Sequence, residues 1–224
     1  MSSDCKCTPM SSIGKKNVMA ITGLLLCGFL LSHLAGNFLL FVGPDAFNKY
    51  SHALVTNPAI YLAEVILGLL FLSHIIMAFR LTLENKKARP EQYYMRTKSG
   101  RGATFASSTM PYTGIIALIF LVFHIIGLKF GTHYDTTING VEMRDIYKTT
   151  VEYFADPIHV AGYIIAVVAL GFHVSHGFWS AFQSLGLNHR KYMPKIQKFS
   201  IVYGLIVAIG FSSLPIYCFI TGGR

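Results

Sequence analysis

Of the nine histidines in this 224-residue chain, five lie inside apolar runs. His33 stands in FLLSHLAGNF, His74 in LFLSHIIMAF, His124 in FLVFHIIGLK, and His173 and His176 in GFHVSHGFW. Neutral imidazole is a good ligand for iron, copper and zinc. Ionisable groups inside a membrane span are costly, and they mark functional sites. One such histidine is accounted for equally well by a hydrogen bond to a neighbouring helix. Histidines on four different spans ask for more.

The elements that must position them are membrane-spanning helices. Soluble domains average about 25% charged residues; this chain has 13%, against 53% hydrophobic residues. The apolar residues fall into five runs, roughly Val18 to Val42, Pro58 to Arg80, Pro111 to Phe130, Pro157 to Phe182 and Phe199 to Ile220. Each is near the ~20 residues that cross a hydrocarbon core about 30 Å thick. The expected fold is an all-α integral membrane protein, a single domain over residues 1–224 built as a five-helix bundle. Pro58, Pro111 and Pro157 are expected at first turns, where a missing N–H costs nothing; Pro215 is expected to kink the fifth span. The first run is too long for the apolar core of a secretory leader, about 7–15 residues.

Loop charge sets the orientation. The N-terminal arm and the second and fourth connections hold 14 of the 19 Lys and Arg residues. The positive-inside rule then puts the N-terminus in the cytoplasm and the C-terminus outside. The net charge of +9 is thus a topology signal, and no compact basic domain exists to bind nucleic acid. The loop of residues 131–156 carries five acids and is expected to hold a short surface helix around Met143–Phe154. Cys5 and Cys7 form a lone CxC, half of a metal site, that reads better as part of a reduced cytoplasmic tail.

Depth sorts the histidines. His33 lies 15 residues past Val18 and His124 13 past Pro111, so both fall in the outer half at about 1.5 Å per residue. His74 and His173 each lie 16 residues past the proline that opens a span running the other way, so both fall in the inner half. Two facing histidines supply both axial ligands of a six-coordinate haem b, a state suited to electron transfer. Two separated pairs argue against zinc or copper, whose ligands would gather at one depth. Gly28, Gly36, Gly68, Gly127, Gly171 and Gly177 stand near the ligands, although membrane helices also use glycine simply to pack. His173 and His176 are three apart on nearly one helix face, and depth does not separate them.

From SSIGKK at Ser11 to HVSHGFWSAFQSLGLNHRKY at His173, the chain resembles the di-haem cytochrome b anchor of bacterial succinate:quinone oxidoreductases, the succinate dehydrogenases and quinol:fumarate reductases. The resemblance favours His173 over His176, because Gly177 and Gly186 then fall at the family's spacing. It implies two haem b groups, a proximal one on His74 and His173 and a distal one on His33 and His124. It also implies a flavoprotein subunit with FAD, an iron–sulfur subunit, and exchange of electrons with menaquinone or another quinone. Two such heterotrimers would pair in the bacterial cytoplasmic (inner) membrane, among lipid and quinone. The chain itself would have no active site for succinate. Its parts would serve the tricarboxylic acid cycle and anaerobic respiration alike.

Glu64 is the acid clearly inside a span. A buried carboxylate there could take up or release the protons of quinone chemistry, or it could hydrogen-bond a neighbour and be structural. Asn48, Tyr50, His52 and His159 belong to the same outer side. Lys15, Lys16 and Arg80 at the inner interface could hold haem propionates, or simply obey the positive-inside rule. His189, Arg190 and Lys191 could dock the cytoplasmic subunits. His133 gets no role. Two rival readings are a di-haem cytochrome b of a hydrogenase or formate dehydrogenase, and a haem-free transporter or anchor.

Overall fold

A backbone in hydrocarbon must satisfy its own N–H and C=O groups, so each apolar run becomes a helix. The computed structural model describes residues 11–87 and 105–222. Cys5 and Cys7 lie outside the described residues, as do Lys6, Arg89, Arg96, Lys98 and Arg101 among the 14 basic residues counted above. The spans are α1 (Ser12–Asn37, continued by a 3-10 turn over Phe38–Phe41), α3 (Ala59–Lys87), α4 (Phe105–His124, continued by a π-helical segment over Ile125–Lys129), α6 (Pro157–Ser184) and α7 (Met193–Thr221). Among the described residues five helices are long and apolar enough to cross a membrane, and the chain is an all-α membrane bundle.

At the ends that loop charge assigns to the cytoplasm, called inner below as the opposite ends are called outer, the helices run past the apolar residues, because a helix need not stop where the hydrocarbon does. Ser11 caps α1 by accepting from the Gly14 N–H at 3.1 Å. Lys86 and Lys87 close the last turn of α3, where cations favour the helix dipole. The same extension corrects the expectation for Pro111: α4 begins at Phe105, so this proline lies inside the helix, not in its first turn. Pro157 does open α6, with Asp156 accepting from the Ile158 N–H at 2.8 Å. Pro215 is buried within α7.

The outer loops are more structured than the sequence suggested. A helix, α2 (Pro44–Thr56), lies between α1 and α3. After α4 come a hairpin, β1 (Asp135–Ile138) with β2 (Val141–Arg144), and the helix α5 (Ile146–Tyr153). The residues from Met143 to Arg144, expected as helix, are strand. Asn139 and Gly140 turn the hairpin at φ 56° and 79°, the positive values a two-residue turn requires. Buried Asn48 joins α2 to α5: its amide donates to Asp145 Oδ1 at 2.9 Å, and its carbonyl accepts from the Tyr147 N–H at 2.9 Å. Burial pushes the Tyr147 phenol up to about 12.

Inside the bundle α1 packs on α3 and α6, α4 packs on α6, and α6 has its largest contact with α7. The four histidine-bearing helices thus run in the order α3, α1, α6, α4, and α7 lies behind. Gly171 of α6 and Gly204 of α7 sit face to face. A Cβ on Gly171 would fall 2.7 Å from the Gly204 carbonyl oxygen, and one on Gly204 would fall 2.5 Å from that of Gly171. This is the small-residue approach by which membrane helices associate. The Tyr203 hydroxyl ties α7 to α1 by donating to the Cys27 carbonyl at 2.7 Å.

Gly171→Val forces α6 and α7 apart. It is expected to destabilise the bundle by about 1–3 kcal/mol, read as a lower thermal midpoint in detergent. Gly162→Val, where an added Cβ meets nothing within 4 Å, is expected to leave the midpoint nearly unchanged.

Candidate functional site

The bundle brings the membrane histidines together in two pairs. His33 of α1 and His124 of α4 have ring centres 5.8 Å apart with planes at 90°. His74 of α3 and His173 of α6 have ring centres 6.4 Å apart with planes at 73°. In the order α3, α1, α6, α4 these are the two diagonals, so each pair meets across the interior. All four side chains are half-buried.

Each ring is held differently. His74 Nδ1 lies 3.2 Å from the Thr22 hydroxyl of α1, and His173 Nδ1 lies 3.2 Å from the Thr113 hydroxyl of α4. Gly23 and Gly114, the next residues, let these rings come close: a Cβ there would meet the ring Cε1 at 3.3 Å in both cases. In the outer pair, His124 Nδ1 lies 3.4 Å from the Tyr163 hydroxyl. His33 is stacked on Phe29 and also packs against Phe211. His176 is buried and turned onto Trp179, ring centres 5.0 Å apart.

The pairs fit the axial positions of a group that brings its own equatorial ligands. With metal–nitrogen bonds of about 2 Å on each side, and the ring radii added, axial imidazole centres stand roughly 6 Å apart. Among the described residues no three His, Cys, Asp or Glu gather as a cage, so each pair offers two donors only. For the inner pair the Nδ1 contacts leave Nε2 as the nitrogen free to bind. Half-burial in a dry interior suits a redox group more than a hydrated ion.

Other expected site residues are placed less simply. Glu64 is not a buried carboxylate: it is exposed and paired with Lys129, as its position near the outer end of the bundle permits. Asn48 is spent on the bridge between α2 and α5. Lys15 pairs with Glu84 of α3, while Lys16 and Arg80 are exposed. His52 is half-buried on α2. His159 stacks on Tyr153, ring centres 4.1 Å apart, and its Nδ1–H donates to the Tyr153 carbonyl at 2.9 Å. His133 lies 3.0 Å from Asp135, and His189 Nδ1 accepts from the Lys191 N–H in the connection after α6. Gly36 and Gly127 sit under the rings of Tyr50 and Tyr153, Gly171 faces α7, and Gly28 and Gly68 meet nothing within 4 Å of an added Cβ. Gly36, Gly127 and Gly171 thus serve helix and aromatic packing more than the histidine rings, and Gly177 would meet only the end of Met110, at 3.8 Å. Gly186 ends α6 at φ 86°, a backbone reason for its spacing from His173.

Beyond His124, on the outer side, lies a cavity of about 180 Å³ lined by Gly127, Thr132, Tyr134, Thr149, Glu152 and Tyr153. The Tyr134 hydroxyl donates to Glu152, which holds the phenol above its ordinary range. Tyr153 and Phe120 both meet Tyr163 edge-on, and Tyr163 reaches His124. Thr22, Thr113, Tyr153 and Tyr163 escaped the sequence reading. The signal for the threonines was present: Thr22-Gly23 stands 11 residues before His33, and Thr113-Gly114 stands 11 before His124.

No protein-family model and no solved structure matches the chain. A curated relative does, the succinate dehydrogenase cytochrome b558 subunit of Bacillus subtilis (strain 168). The two are 25% identical over 199 residues, which cover 88% of this chain and 90% of the relative. The resemblance read from the residues around the histidines therefore holds over nearly the whole length: this five-helix membrane protein is similar to a succinate:quinone oxidoreductase cytochrome b subunit.

Proposed function

We propose that the chain is the membrane anchor and electron-transfer subunit of a succinate dehydrogenase or fumarate reductase complex, folded as one five-helix domain in a bacterial cytoplasmic membrane. What carries the reading is the pair of histidine diagonals at two levels, in a chain similar to a cytochrome b558 subunit. His74 and His173 hold a proximal haem b, and His33 and His124 a distal one. The haems, when bound, supply one-electron carriage between an iron–sulfur subunit and quinone. Around them the chain orients four imidazoles, keeps water from the interior with apolar walls, and anchors the flavoprotein and iron–sulfur partners at its basic inner side. The N-terminus is cytoplasmic and the C-terminus outside.

The exposure of Glu64 and the engagement of Asn48 move the proposed quinone site to the outer cavity. The Tyr134 phenol donates to Glu152 there, and the carboxylate can take up or release a proton for a bound quinone. Tyr153, braced by His159, separates this cavity from the aromatic contacts of His124.

Purified complex is expected to show a b-type α band in the reduced-minus-oxidised spectrum and two haems per chain; no band would sink the haem assignment. His33→Ala should remove one haem and keep the other, and retention of both would refute its ligand role. Copurification with a hydrogenase or formate dehydrogenase, in place of FAD and iron–sulfur subunits, would overturn the partner assignment. Glu152→Gln should lower quinone-linked turnover by roughly 10² with haem content unchanged; full turnover would place the quinone elsewhere.

A further inference from the structure

The inner histidines are held by a repeated device. Thr22 donates its one hydroxyl proton within its own helix, with the Val18 carbonyl at 2.8 Å and that of Met19 at 3.2 Å. Thr113 does the same, with the carbonyls of Thr109 and Met110 both at 3.2 Å. A hydroxyl that has given its proton to a carbonyl can only accept from a third group. In that arrangement the proton between Thr22 and His74 sits on His74 Nδ1 and that between Thr113 and His173 on His173 Nδ1, the tautomer that a neutral imidazole ligating through Nε2 has. Each Nε2 is left bare. A tautomer is set by the hydrogen bond the other ring nitrogen makes.

The placement repeats as well. Eleven residues are just over three helical turns, so Thr22 and His33 share one face of α1, as Thr113 and His124 share one face of α4. Each of these helices carries a ligand for the outer level and a brace for the inner one. The outer rings are held otherwise, His124 against the Tyr163 hydroxyl and His33 between phenylalanines.

The geometry points to Thr22 and Thr113 as positioning residues: each fixes the Nδ1–H tautomer of an inner histidine on the neighbouring helix and so tunes the redox potential at the inner level. This rests on His74 and His173 as haem ligands. An acceptor on Nδ1–H makes the imidazole a more basic ligand. A more basic ligand favours ferric over ferrous iron, so removing the acceptor raises the potential.

The test is potentiometry of the intact complex carrying Thr22→Val, Thr113→Val or Thr22→Ser. In both valine variants the proximal midpoint should rise while the distal one stays. The shift should favour the reduced form roughly tenfold at fixed potential, about 59 mV for one electron. The serine variant, which keeps the acceptor, should match the wild type. A His33→Ala background, which retains the proximal haem alone, identifies which midpoint moves. The low-spin ferric signal of that haem should change in step. Unmoved proximal midpoints with haem retained would overturn the inference, as would a shift confined to the distal haem. Should Thr22→Val fail to assemble, Thr22→Ala and Thr22→Ser carry the comparison: Ala must rise above Ser, and equality overturns it. Wild-type complex without haem would sink the proposed function instead, a separate result.

Discussion

An imidazole inside hydrocarbon needs a partner for its polar nitrogens, and meeting that need for three of the four organises the bundle. A hydrogen bond left unmade there has no water to fall back on. The inner rings find threonine hydroxyls on adjacent helices, while one outer ring finds a tyrosine. Those side contacts join α3 to α1 and α4 to α6, the same neighbours that pack along their length. With one ring nitrogen satisfied at the side, the other is directed across the diagonal. The histidine pairs and the helix order are therefore two expressions of one requirement.

The remaining elements stabilise that square without joining it. α7 brings no histidine, yet its glycine contact with α6 and its tyrosine bond to α1 fix two of the four corners. On the outer side, α2, the hairpin and α5 cover the helix ends, with Asn48 as the buried polar link between loops separated by almost a hundred residues. Tyr50 and Tyr153 lay their rings over Gly36 and Gly127, three residues past His33 and His124. The two halves of the chain thus answer each other: span, outer helix, span, with matching glycines and tyrosines. The likeness that the fold uses runs between α1 and α4.

Much of this was legible beforehand. Run length gave the five spans, and counting residues from each entry point gave the two levels of histidines, because helical rise converts sequence into depth. Orientation around the helix axis was not legible: His173 and His176 lie three apart, and tertiary packing turned one towards His74 and the other towards Trp179. Which way Glu64 faces was not legible for the same reason: an acid within an apolar run can still face outward and meet Lys129. The polar extension ahead of Pro111 was invisible to an apolar pattern, which sees hydrocarbon thickness and not helix length. The hairpin could have been found, because Asn139-Gly140 is a strong turn signal.

The eleven-residue step shared by α1 and α4 acts as a ruler. Threonine and outer histidine sit on one rigid rod, so the spacing of the two levels is about 16 Å of helical rise along the axis. That rise is fixed by backbone hydrogen bonds and owes nothing to loop length. Bilayers differ in thickness, and helices answer by tilting. A tilted bundle changes how deep each level lies in the lipid, but the gap between the levels travels with the rods, unchanged from one membrane to the next.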